Sequence, residues 1–185
     1  MQVSIEQDKK ELFQLLKTQA FSRGKFILSS GKESSFYLDA RLVTLSAAGA
    51  YLTGRVMLDM IKTDRPDAIG GPTLGADPMV GAIASLSHQA GCPINTFIIR
   101  KQPKAHGKQQ QVEGPLLKEA GSVVIIDDVA TTGKAFVESI EVLQKMNIKI
   151  KKAICIIDRG EGAREALAKY NVPMESIFTI SEFLQ

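Results

Sequence analysis

Residues 123–135 read VVIIDDVATTGKA. Four β-branched apolar residues in a row cannot alternate between a core face and a wet face. Such a run fits a strand covered on both sides, the arrangement of parallel sheets. A second unbroken run, AICII at 153–157, repeats the pattern. Between the strand-like runs lie segments with apolar residues at helical spacing, roughly 10–15 residues long, which suggests βαβ units. The chain therefore reads as α/β, with a central, mostly parallel sheet flanked by helices.

The spacing predicts helices over 8–19, with Leu12, Phe13, Leu15 and Leu16 on one face, and over 46–62, with Ser46 as N-cap. Further helices are expected from a cap and first turn at Asp77 and Pro78 towards Ala90, and over 133–146 and 161–170. Strands are expected at 67–71, 93–99, 122–126, 148–157 and 176–180. Residues 24–39 read as loop or short strands, and 100–114 as a long polar loop. There is no repeat, low-complexity tract or linker, and 185 residues fit one domain.

The net charge of +3 is too small to argue for nucleic acid. Two cysteines, Cys92 and Cys155, make neither a disulfide framework nor a metal cluster. The N-terminal stretch is amphipathic and charged, without a signal-peptide core. No apolar run approaches the ~20 residues that span a bilayer. The expected compartment is a reducing cytoplasm, with no membrane and no nucleic acid as partner.

In open sheets of this kind ligands bind at the carboxyl ends of strands, and DDVATTGK stands at such an end. The first turn of the following helix falls near Thr132–Ala135, where free backbone N–H groups can hold a phosphate. Thr131 and Thr132 add hydroxyl donors, and Gly133 lets the backbone approach closely. Asp127 and Asp128 cannot hold phosphate, but they can accept from vicinal hydroxyls or help hold a hydrated cation. Carboxylates beside an anion cradle describe a binder of a ribose phosphate. A P-loop is excluded, because Ala135 follows the Gly133-Lys134 pair and Asp128 occupies the position of the first glycine.

The stretch resembles the phosphoribosyl-diphosphate signature of type I phosphoribosyltransferases. Three more segments are similar to those of one branch, the orotate phosphoribosyltransferases. FILSSGKESSFYLD at 26–39 resembles their N-terminal signature. RKQPKAHG at 100–107 resembles their mobile catalytic loop, and DRGEGARE at 158–165 their base-recognition segment. The likeness covers nearly the whole chain. It implies one phosphoribosyltransferase domain over 1–185, with a small hood built by about residues 1–40 and the C-terminal segment.

The resemblance also implies an activity: transfer of a 5-phosphoribosyl group from phosphoribosyl diphosphate to orotate, giving orotidine 5′-monophosphate and diphosphate in pyrimidine synthesis. Asp127 and Asp128 would orient the ribose, and Val129, Ala130, Thr131, Thr132, Gly133, Lys134 and Ala135 would surround its phosphate. Thr73, Leu74 and Gly75, in GGPTLGADP, match the loop that meets the diphosphate. Arg159 and Thr131 are assigned to orotate, with backbone groups around Tyr37 and Leu38. Arg100, Lys101, Lys104 and His106 match diphosphate-binding positions of a loop that crosses a homodimer interface. Cations brought in by a closing loop would stabilise charge growing on the leaving group, Lys104 foremost, with His106 as a proton donor. Mg2+ is the implied cofactor, held mainly by substrate and water rather than by direct protein ligands.

Several positions depart from that pattern. Some members carry lysines where Ser29 and Gly75 stand, and better-known members differ at Gln102 and Pro103. Lys134 replaces a small or hydroxyl residue, so it either binds phosphate or points to solvent. Arg159 also has a plain alternative, a salt bridge to Asp158 or Glu161. Two rival functions share these motifs: transfer to another nucleobase, for which the Arg159 carboxylate grip would be idle, and a phosphoribosyl-diphosphate-sensing regulator. Such regulators usually carry an added DNA-binding domain, whereas this chain begins almost directly with the N-terminal signature.

Overall fold

The computed structural model describes residues 4–27, 33–102, 111–115 and 121–185. Helix α1 (Ile5–Leu15) starts on Ser4, whose hydroxyl accepts from the Gln7 N–H, and continues through a π-turn at Leu16–Ala20. An antiparallel pair follows, β1 (Phe21–Ile27) with β2 (Glu33–Leu38), so residues 24–27 and 33–38 of the segment expected to be loop or short strands are strand. A short α2 (Arg41–Thr44), not anticipated, leads to α3 (Ala47–Ile61), which Ser46 caps as expected.

The sheet then builds outward and back. It comprises β3 (Ala68–Pro72), β4 (Asn95–Ile99), β5 (Val112–Glu113), β6 (Ser122–Ala130), β7 (Lys149–Asp158) and β8 (Met174–Thr179), in the order β5-β4-β3-β6-β7-β8. All neighbours are parallel except β5 on β4. Helices α4 (Asp77–Gln89), α5 (Lys134–Lys145) and α6 (Ala163–Ala168) make the crossovers, and α7 (Ile180–Leu184) ends the chain.

β6 shows why its apolar run does not alternate with polar residues. Val124 and Ile126 face a core shared with α1, α3 and α4, while Val123 and Ile125 face one shared with α5 and α6. Burying both faces is what the VVII run was expected to require. From β3 the chain first adds β4 on one side and later returns to place β6 on the other. The direction of winding thus reverses between β3 and β6, and the crevice at their carboxyl ends is where such sheets bind ligands.

Besides the end of β6, three expectations need correction. Asp77 does not cap α4: the N-cap is Ala76, Asp77 lies in the first turn and Pro78 follows it. The polar loop 100–114 contains β5, held to β4 at Ile98↔Glu113 and Ile99↔Val112. Helix α6 is shorter than the predicted 161–170, because Gly160 and Gly162 adopt positive φ and delay its start.

Candidate active site

Strand β6 does not stop before its acidic pair. The parallel ladder to β7 continues through Asp127↔Cys155 and Val129↔Ile157, so both carboxylates are carried on ordered strand at the crevice. Each is fixed by the next peptide: Asp127 Oδ1 accepts from the Asp128 N–H at 2.9 Å, and Asp128 Oδ1 from the Val129 N–H at 2.7 Å. Asp127 is only 8% exposed. Burial, then the neighbouring Asp128 charge, push its carboxyl well above the ordinary range. Burial raises Asp128 as well, against the pull of its peptide hydrogen bond and of Arg41.

The diphosphate-loop candidate lies against this pair. Thr73, Leu74 and Gly75 follow β3, and the Thr73 N–H donates to the Ile99 carbonyl at 3.0 Å. Leu74 is exposed. A Cβ added at Gly75 would fall 2.0 Å from Asp127 Oδ1 and 2.7 Å from Asp128 Oδ1. This chain therefore has no room for the lysine that some relatives carry there unless the loop takes another path. Gly75→Ala should displace a carboxylate or lift the loop. A shift on the order of 1 Å in such a site costs about a hundredfold in rate. Steady-state turnover and a thermal melt check this; unchanged turnover would contradict the tight packing.

After β6 the chain turns through Thr131 and Thr132 into α5. Gly133 is the N-cap at φ 80°, a left-handed conformation that favours glycine. A Cβ there would also crowd Ala163 and Leu167 of α6 at 3.0 Å. No side chain caps α5, so its first N–H groups have no capping partner. A cleft of about 720 Å3 opens here. Asp127, Thr131, Thr132 and Gly133 line one side, and Thr73, Arg100 and Lys101 another. Val129, Ala130, Lys134 and Ala135 also border it. Lys134 points outward, 82% exposed and 3.8 Å from an exposed Glu138, which favours the solvent alternative.

The base of the basic loop is pinned at both ends. The Arg100 N–H donates to the Gln111 carbonyl at 2.8 Å, and Gln111 Nε2 donates back to the Arg100 carbonyl at 3.0 Å. Arg100 Nη1 lies 3.6 Å from Glu113 on β5. Lys104 and His106, with Pro103, lie outside the described residues, as does Ser29.

Arg159 follows β7, its N–H donating to the Ala130 carbonyl at 2.9 Å. Its side chain is 13% exposed, with Nε 2.9 Å from Glu161 Oε1 but not in hydrogen-bond geometry. The carbon of its guanidinium sits 5.0 Å from the Phe36 ring centroid. Of the two alternative partners, Glu161 is taken; Asp158 instead binds Arg164 and the Gly160 N–H, both at 2.8 Å. Tyr37 turns away on β2, half exposed, against Phe26, while Leu38 packs on the core.

Sequence reasoning missed three participants. Phe36 contacts Arg159 from 123 positions away, beyond any local signal. Arg41 grips Asp39 through two hydrogen bonds, at 2.9 and 3.0 Å, and acts electrostatically on Asp128. A cation two residues past the quoted aspartate was its only trace. Asp77, raised by burial, adds a third carboxyl near Asp127.

Comparison with known proteins agrees with this geometry. Residues 47–183 match the phosphoribosyl transferase domain family. An orotate phosphoribosyltransferase of Rhodopirellula baltica is 38% identical over 186 residues, covering 97% of this chain and 96% of its own. That of Aquifex aeolicus is 40% identical over 159 residues, 86% of each. The orotate phosphoribosyltransferase of Mycobacterium tuberculosis H37Rv, solved with 5-phospho-α-D-ribosyl 1-diphosphate, superposes with a TM-score of 0.81. It is 29% identical, and the match covers 96% of this chain and 99% of that one.

Proposed function

This chain belongs to the phosphoribosyl transferase family, and we infer that it transfers the 5-phosphoribosyl group of phosphoribosyl diphosphate to orotate, releasing diphosphate and giving orotidine 5′-monophosphate for pyrimidine synthesis. The observation that carries the reading is the acidic pair on β6 beside the uncapped start of α5, at the point where the sheet reverses its winding.

The α5 N-terminus and the Thr131 and Thr132 hydroxyls hold the 5′-phosphate, because free N–H groups and the helix dipole both favour an anion. Asp127 and Asp128 accept from the ribose hydroxyls. As the C1–O bond to diphosphate lengthens, positive charge grows on the ribose ring, and the adjacent carboxylates stabilise it. That charge also favours ionisation of carboxyls whose burial otherwise raises them. The orotate ring nitrogen attacks from the face opposite the leaving group. Thr73, Leu74 and Gly75 present backbone to the diphosphate, and Arg100, Lys101, Lys104 and His106 supply donors to its developing charge. Thr131, Arg159 and the backbone at Tyr37 and Leu38 hold the base.

Among the described residues no group of three or more acidic, His or Cys side chains gathers to form a metal cage. The hard oxygens of Asp127 and Asp128 nevertheless suit a hydrated Mg2+ held mainly by substrate. When bound, the ion neutralises charge on the diphosphate. We further propose a homodimer whose loops are exchanged between sites, a hood formed by β1, β2 and the C-terminal segment, and a cytoplasmic location. No described helix is long and apolar enough to cross a membrane. The test is direct: with Mg2+ and phosphoribosyl diphosphate, the protein should consume orotate absorbance and release diphosphate, while uracil, adenine and xanthine fail to substitute. Turnover with a base lacking a carboxylate, and none with orotate, would overturn the assignment.

A further inference from the structure

The Arg159 guanidinium is a planar group held on two sides by residues from separate parts of the fold. Phe36, on the β1–β2 pair, covers one face at 5.0 Å. Glu161 lies at the Nε edge at 2.9 Å. Among the described residues neither Nη donates to a protein acceptor, and only Nε is buried. Accessible Nη donors that no protein acceptor occupies can take a planar anion through two parallel hydrogen bonds. Phe36 is itself braced by Phe21, whose ring stacks at 5.8 Å, and Phe21 lies 5.8 Å from Phe183 on α7. The pair's aromatic face is thus anchored to the C-terminus, as is Arg23, which donates to the Leu184 carbonyl at 2.7 Å.

We propose that Phe36 is a positioning residue for base recognition: its ring fixes the plane of the Arg159 guanidinium, with Glu161 occupying one edge, so that the remaining Nη edge is set for the carboxylate of the base. The inference rests on the assignment of Arg159 to orotate. A long arginine side chain without that ring would sample several rotamers, and ordering it on binding would weaken affinity. Phe36 is not among the residues that line the cleft at β6 and α5, so phosphoribosyl diphosphate binding should not respond.

The experiment is steady-state kinetics on the full chain with each substrate varied. Phe36→Leu should raise KM for orotate about tenfold, in the range expected for a partly desolvated cation–π contact. The kcat and the KM for phosphoribosyl diphosphate should stay within about twofold. Phe36→Tyr, which keeps the aromatic face, should restore the orotate KM. In an Arg159→Ala background, Phe36→Leu should add nothing, the non-additivity that marks action through another residue. If Phe36→Leu leaves the orotate KM unchanged, raises both KM values alike, or adds its full effect without Arg159, the inference is overturned. If Arg159→Ala itself leaves the orotate KM unchanged, the underlying assignment of Arg159 fails instead.

Discussion

Asp127→Asn should melt at a higher temperature than the unaltered protein at pH 7 while losing about 10²–10³ in turnover, comparable to removing one well-placed electrostatic group from a reaction centre. The two effects share one cause. Burial and the Asp128 charge hold the Asp127 carboxyl well above its ordinary range in the fold, whereas the unfolded chain returns it to about 3.9. Between those two values the folded protein binds more protons than the unfolded one, so stability falls as pH rises through the window. Above the folded value the whole penalty is present. Asparagine cannot ionise and escapes it. Its carbonyl can still accept from the Asp128 N–H, and its amide can donate to the Asp128 carboxylate that Asp127 already contacts. Each 1 kcal/mol of relief corresponds to roughly 2–4 °C at this chain length. The stability difference should be largest at neutral pH and close as pH falls towards the unfolded value. Calorimetry across that range checks it, and a variant less stable at pH 7 would contradict a strained acidic pair.

The runs VVII and AICII announced a two-sided sheet because continuous burial leaves no polar positions. Ser46 announced its helix because a hydroxyl there meets the Gly49 N–H. The site motif was legible for a related reason: two charges behind a buried run contradict local burial rules, and such contradictions mark function. The same rule misplaced the end of β6, since charge normally terminates a buried strand. Here the ladder to β7 carries the acids onward. β5 was invisible because two residues, Val112 and Glu113, carry no period of their own and are ordered only by β4. Asp77 looked like a cap because aspartate commonly is one, yet the turn after β3 ends on Ala76. Phe36 on Arg159 needed the β1–β2 pair, α7 and β7 already assembled.

The cationic loop supplies the other large expected effect. Lys104→Ala should cost about 10²–10³ in turnover if its charge meets the departing diphosphate. Arg159→Ala should cripple the base site independently. Suppose the loop serves the neighbouring subunit. A mixed dimer then joins one chain with an intact core and defective loop to one with the reverse defects. Of its two sites, one pairs intact core with intact loop and the other combines both lesions. Random re-pairing of equal amounts makes about half the dimers mixed, so activity should recover to about a quarter of the unaltered protein. The hydrogen bonds between Arg100 and Gln111 fix the two ends of the segment on the β4–β5 edge, beside the cleft. Activity in a mixture that has been unfolded and refolded together, compared with the same chains mixed without exchange, gives the measurement. A refolded mixture no more active than the mean of its parents would place the loop over its own site and remove the need for a partner.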